Sequence, residues 1–254
     1  MRKSDFIGFL KVFLLMFVLN GFSHLSEAQI IRKATVDFYS SDSLLITADH
    51  YLSRPEDPYI LFFHQENSSR GEYDSIAQRF VKMRYNCLAV DLRVGDNYGY
   101  VNNRTAPRAR KKKLISRKGV EKDILAAISF VGGLSDEKVI LLGSSLSATL
   151  ALKVASGDER VKAAMAFSPG EYLRPGYPLK KILKKLTIPV YIACNTMEYP
   201  YLLESVDGIE EGTLTLFEPP ENTTERASGM LRKSNPSYDE YWFSVLIFIK
   251  SLQN

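Results

Sequence analysis

The chain has 254 residues, of which 45% are apolar and 24% charged, with a formal net charge of +4. That length suits one large α/β domain or at most two small ones, and that apolar content fills a core, which excludes disorder of the whole chain. The only two cysteines, Cys87 and Cys194, cannot make a disulfide framework; both lie in apolar runs and are expected to be small buried hydrophobes.

At the N-terminus, Arg2, Lys3 and Lys11 precede an apolar run over Val12–Leu19, and Ser26-Glu27-Ala28 puts small residues where a signal peptidase reads. Residues 1–28 therefore read as a secretory signal cleaved near Ala28, with 29–254 the mature domain, exported to a periplasm or secreted. The alternative is an uncleaved anchor, but the run is short for a span and Lys11 sits where its core would lie. No other segment is apolar enough to cross a membrane.

The rest alternates strands with helices. Val36–Tyr39 and Leu44–His50 are predicted strands joined at Ser40-Ser41-Asp42, a hairpin signal. Tyr59–Phe63 is apolar throughout, so a buried strand; Tyr73–Arg84 has helical spacing at Ile76, Phe80 and Met83. Cys87–Val90 is another apolar strand. Residues 94–117 are polar and aperiodic, a long excursion or lid. Within Arg104–Lys118 lie eight basic residues and no acidic one, which leaves the remainder of the chain net negative. Such a run suits an anionic surface or ligand, or is simply a solvated loop; no aromatic residues interleave it for stacking on bases, and nucleic acid is not expected as a partner. Val120–Phe130 is predicted helical, Val139–Leu142 a strand, Leu146–Ala155 a helix, Ala163–Phe167 a strand and Leu179–Leu186 a basic amphipathic helix. Val190–Cys194 and Leu214–Phe217 are strands, and Tyr238–Leu252 is a closing helix. Strands apolar on both faces, separated by helices, predict a mostly parallel central sheet covered by helices on both sides, with the hairpin at its edge.

The sharpest chemical signal is Val139-Ile140-Leu141-Leu142-Gly143-Ser144-Ser145-Leu146-Ser147-Ala148, an apolar strand running through Gly-x-Ser-x-Ser into a small-residue helix. Small residues at Gly143 and Ser147 allow a sharp strand-to-helix turn that lifts the middle serine above the sheet, where the next amide, on Leu146, can stabilise an oxyanion. The plainer alternative is a turn capped by Ser144. A second signal is the strand at Ile60–Phe63 followed by His64-Gln65-Glu66-Asn67-Ser68-Ser69-Arg70-Gly71-Glu72-Tyr73, with Asn86-Cys87-Leu88-Ala89-Val90-Asp91-Leu92-Arg93 further on.

Together these stretches resemble the α/β-hydrolase superfamily, most closely its dienelactone-hydrolase-like branch of exported bacterial proteins, over roughly residues 35 to 252. The resemblance implies the α/β-hydrolase fold, Ser145 as nucleophile and the backbone amides of Gln65 and Leu146 as the oxyanion hole. His64 matches a structural histidine after the third strand. The acid follows the strand at Pro189–Ala193, where Glu198 falls; otherwise Glu198 is an ordinary surface charge. The histidine of the family is expected in a His-Gly-Ser run before the last helix. This chain has Glu225-Arg226-Ala227-Ser228 there, with Arg226 at the histidine position, and no histidine follows His64.

A serine hydroxyl is a weak nucleophile until a base takes its proton, and arginine stays protonated. His64 is the one substitute base placed near the elbow; a hydrogen-bonded structural role is its alternative. Arg226 could instead hold a carboxylate or phosphate. Two function classes therefore stand: a serine esterase-type hydrolase of small esters with an impaired or unusual triad, and a non-catalytic pseudohydrolase binding a small anionic ligand. A surface-binding module acting through residues 104–118 is a third. There is no glycine-rich phosphate loop and no metal-spaced His/Cys cluster, so neither cofactor nor metal is expected, and the expected partner is a small molecule.

Overall fold

Strands β1 (Arg32–Tyr39) and β2 (Leu45–Leu52) form the expected antiparallel hairpin in the computed structural model, which describes residues 31–173, 178–209 and 212–253. The proposed signal, 1–28, lies outside the described residues. Next come β3 (Tyr59–Phe63), a 3-10 turn over Arg70–Tyr73, α1 (Asp74–Lys82), β4 (Asn86–Val90), a short β5–β6 hairpin (Asn97–Tyr98 and Val101–Asn102), α2 (Thr105–Lys111) and α3 (Arg117–Gly132). The second half holds β7 (Val139–Ser144), α4 (Leu146–Ala155), β8 (Val161–Phe167), α5 (Leu179–Leu183), β9 (Val190–Ala193), α6 (Tyr199–Val206), β10 (Leu214–Leu216), a 3-10 turn over Ala227–Leu231 and α7 (Tyr238–Ser251).

Eight strands form one sheet in the order β1-β2-β4-β3-β7-β8-β9-β10. The β1–β2 and β2–β4 pairs are antiparallel and the remaining pairs parallel. This is the α/β-hydrolase arrangement, and the apolar strands explain it. In β3, Leu61 and Phe63 face one core while Ile60 and Phe62 face the other; in β7, Leu141 faces one and Ile140 and Leu142 the other. Val120, Ile124 and Ala127 of α3 with Leu150 of α4 cover the first side. Phe80 of α1 with Trp242 and Val245 of α7 cover the second. Both faces need helices, because each large apolar side chain removed from water contributes about 1.5–3 kcal/mol.

Several elements differ from the sequence expectation. The stretch 94–117 holds a hairpin and the helix α2, whose Ala106 and Ala109 are buried while Arg110 and Lys111 are exposed. Its apolar face is two alanines, too small to mark a period. Helix α6 was not expected either: Pro200 sits in its first turn, where a missing amide hydrogen costs nothing. Helix α5 ends at Leu183, three residues before the expected Leu186.

Arg93, after β4, is almost wholly buried and ties three elements together. Its Nη2 donates to Asp123 Oδ1 at 2.7 Å, its Nη1 to Asp42 Oδ2 at 2.8 Å, and its backbone amide to Asp123 Oδ2 at 2.9 Å. A Cβ at Gly119 would lie 2.4 Å from Arg93 Nη1, which explains a glycine in the first turn of α3. Removing one partner of a buried pair leaves an uncompensated charge. Arg93→Ala is therefore expected to lower unfolding stability in urea by about 3–5 kcal/mol. A loss below about 1 kcal/mol, the size of an exposed pair, would contradict that assignment.

Candidate active site

The site begins at the turn between β7 and α4. Ser145 has φ 56° and ψ −121°, a conformation that costs a non-glycine residue on the order of 1–3 kcal/mol. The turn is tight enough that a Cβ at Gly143 would lie 2.5 Å from the Ser147 carbonyl oxygen, so position 143 must be glycine. Ser147 stands where the motif ordinarily ends in glycine, and its hydroxyl explains the exchange. That Oγ lies 2.6 Å from the Phe63 carbonyl and 2.7 Å from the His64 carbonyl, latching the elbow to the end of β3. Ser144 does not cap α4. Its Oγ lies 2.5 Å from the Tyr73 hydroxyl and accepts from the Ser228 amide at 3.2 Å. The Ser145 hydroxyl donates to the Tyr172 hydroxyl at 3.0 Å.

The two expected oxyanion donors differ in state. Leu146 opens α4, so its amide has no intrahelical acceptor. The Gln65 amide donates to Glu72 Oε2 at 3.2 Å. Glu72 is buried, and its other oxygen accepts from Ser228 Oγ at 2.8 Å. The 3-10 turn carrying Glu72 is fixed by Ser69, whose side chain accepts from the Gly71 amide, and by Arg70, whose Nη1 donates to Asp91 Oδ2 at 2.7 Å. No motif marks a carboxylate that reaches the Gln65 amide.

Glu198 follows β9 and directly precedes α6. Its Oε2 accepts from Ser168 Oγ at 2.6 Å and from the Asn195 amide at 3.3 Å. Its Oε1 takes both Arg226 Nε and Arg226 Nη2 at 2.7 Å. Arg226 thus stands beside the proposed acid. The Glu198 carboxylate, together with the facing Tyr172 phenol, raises the arginine's pKa further, so it stays a cation and can accept no proton. The following residue, Ala227, has φ 53°, a left-handed conformation that favours the glycine of a His-Gly-Ser run.

His64 is fully buried, and both ring nitrogens are committed. Nε2 accepts from the Leu92 amide at 2.9 Å, and Nδ1 donates to the Gln65 carbonyl at 2.7 Å. Burial pushes its pKa down. The ring therefore fixes the loop after β3 and has no lone pair left to offer Ser145, which corrects the expectation of a substitute base. His50 is engaged elsewhere, its Nε2 lying 3.0 Å from the Tyr59 hydroxyl. Cys87 and Cys194 are free and buried, and burial pushes the Cys194 thiol up to about 12. Among the described residues no group of three His, Cys, Asp or Glu is arranged to hold a metal ion, and no helix is long and apolar enough to cross a membrane.

Tyr172 likewise carries no sequence signal. It lies after β8, in a stretch with neither motif nor periodicity. Its carbonyl accepts from Arg117 Nη1 at 3.0 Å, and its amide donates to the Gly170 carbonyl at 2.9 Å.

The chain matches the dienelactone hydrolase family over residues 48–215. A search of the curated proteins finds no match. Among solved structures, an esterase of Pyrococcus furiosus superposes with a TM-score of 0.65 at 14% identity, over 88% of this chain and 92% of its own. A dienelactone hydrolase of Anabaena variabilis gives 0.58 at 14% identity, over 74% of this chain and 86% of its own. The esterase domain of a Rhodothermus marinus protein gives 0.52 at 15% identity, over 73% and 86%. At these identities the likeness concerns the fold.

Proposed function

The chain belongs to the dienelactone hydrolase family, and we propose that it is a serine-dependent hydrolase of small carboxylic esters that works without the triad histidine. The observation that carries this reading is Ser145 itself. It keeps the costly elbow conformation, and its hydroxyl is held by another side chain rather than spent on capping α4. Strain of that kind persists where surrounding structure enforces it, and it concentrates at functional sites. Leu146 at the start of α4 supplies one oxyanion donor; the Gln65 amide supplies the second once the Glu72 carboxylate yields it. Hydrolysis of short acyl nitrophenyl esters that disappears in Ser145→Ala tests the reading.

One observation favours a second reading. Arg226 chelates Glu198 while its own side chain is 61% exposed, so it can offer its remaining donors to a small anion above Ser145. On that reading the protein is a pseudohydrolase. It turns over no ester, and a short-chain carboxylate raises its thermal midpoint in the parent but not in Arg226→Ala.

We also propose export. The basic, apolar and small-residue order of the first 28 residues supports it. N-terminal sequencing of protein recovered outside the cytoplasm is expected to begin at Gln29; a start at Met1 would point to a retained anchor.

A further inference from the structure

We propose that Tyr172 takes the role of the absent histidine, as the proton acceptor for Ser145, with Arg226 as its charge partner. This rests on the serine-hydrolase reading above and names the base which that reading lacks.

The contact has the direction the chemistry needs: Ser145 Oγ donates and the Tyr172 oxygen accepts, at 3.0 Å. Arg226 lies near the phenol, close enough for Tyr172 to contribute to its raised pKa. Glu198 in turn fixes Arg226 through two contacts of 2.7 Å. The sequence of groups is then carboxylate, guanidinium, phenol and serine hydroxyl. In a histidine triad the acid steadies the cation formed when the base takes the proton; here a permanent cation stands beside the phenolate that is the base before it takes the proton.

Tyr172 is also held in place. Arg117 binds its carbonyl, and Gly170, two residues earlier, is bonded through both its amide (3.0 Å) and its carbonyl (2.9 Å) to Thr149 Oγ1 of α4. A Cβ at Gly170 would meet the Tyr172 ring at 3.1 Å, so the ring packs against this glycine, and its apolar part packs against the core under α4. Other bases are committed. His64 has both nitrogens bonded to backbone, and the Glu72 oxygens are taken by Gln65 and Ser228.

The step balances with water as the only co-reactant. The Tyr172 phenolate takes the Ser145 proton as Oγ bonds to the ester carbon and the carbonyl electron pair moves onto oxygen. Collapse of that adduct breaks the bond to the alcohol oxygen, which leaves with the proton from Tyr172 and restores the phenolate. Water then gives a proton to Tyr172 and adds to the acyl carbon. Ser145 Oγ departs, and the proton returns to it. The products are the acid, the alcohol and the unchanged protein. Because only the phenolate can take the serine proton, a phenol acting this way gives a rate that climbs as the pH rises.

The test compares the parent full chain, Ser145→Ala, Tyr172→Phe and a chain carrying 3-fluorotyrosine at position 172. The readouts are kcat/KM on short acyl nitrophenyl esters across pH and covalent labelling of Ser145 by a fluorophosphonate. Tyr172→Phe is expected to lose about 10²–10⁴-fold in kcat/KM, the usual share of a general base, and to label correspondingly slowly. Fluorination makes the phenol more acidic and is expected to move the rising limb of the profile to lower pH. That shift would not follow from a merely structural tyrosine, and it keeps the test sound if the phenylalanine variant folds poorly. An active parent whose limb stays put on fluorination, or a folded Tyr172→Phe chain within a few-fold of the parent, would overturn the assignment while leaving Ser145 as nucleophile. An inert parent that also fails to label would overturn both.

Discussion

Ser145→Ala is expected to abolish ester turnover, with kcat falling about a thousandfold or more toward the rate that an oxyanion site and binding alone provide. The fold should survive the change. Alanine keeps the Cβ and the φ of 56° that the elbow already tolerates, and the lost hydroxyl made one hydrogen bond, to Tyr172. A net contribution of about 0.5–1.5 kcal/mol is ordinary for such a bond, so the thermal midpoint should move little. Initial rates and a thermal melt on the same preparation separate the two effects. Retained turnover in a folded Ser145→Ala chain would place the chemistry elsewhere.

The second large effect runs the other way. Arg226→His is expected to raise ester turnover near neutral pH, by on the order of 10²-fold, the lower end of what a positioned base supplies. Glu198 Oε1 now accepts two donors from Arg226. An imidazole at position 226 can give one N–H to that oxygen and keep its second nitrogen for the serine side. Ser168 and Asn195 already hold the other carboxylate oxygen, so Glu198 needs no rearrangement. The pH profile carries the sign. A histidine accepts a proton only when neutral, so the rising limb should move down toward the ordinary histidine value of about 6.5. A variant with neither gain nor shift would mean that position 226 does not address Ser145.

Much of this arrangement can be read from the residues. Apolar runs such as Tyr59–Phe63 and Val139–Leu142 carry their own explanation, because strands buried on both faces need apolar side chains at every position. The elbow is legible because Gly143 and a small residue at 147 are steric necessities. What the Ser147 hydroxyl does is not legible, since its acceptors at Phe63 and His64 lie more than eighty residues away. Arg226 shows the same divide. Its inability to act as a base follows from its chemistry alone, whereas the carboxylate it holds, Glu198, is known only from the folded chain. Glu72 and Tyr172 gave no signal at all, one sitting in a short turn and the other in a loop, neither with a period or motif. Helix α2 was hidden because two buried alanines among arginines and lysines make too small a stripe to notice.

The most direct test of the central claim is ester turnover by the parent chain from about pH 6 to about pH 10, an interval bracketing the ordinary histidine and tyrosine values, run beside Ser145→Ala. Turnover that depends on Ser145 and climbs through the alkaline half is the predicted result. No Ser145-dependent turnover at any pH would contradict it and leave Arg226 with the anion-binding role of a pseudohydrolase.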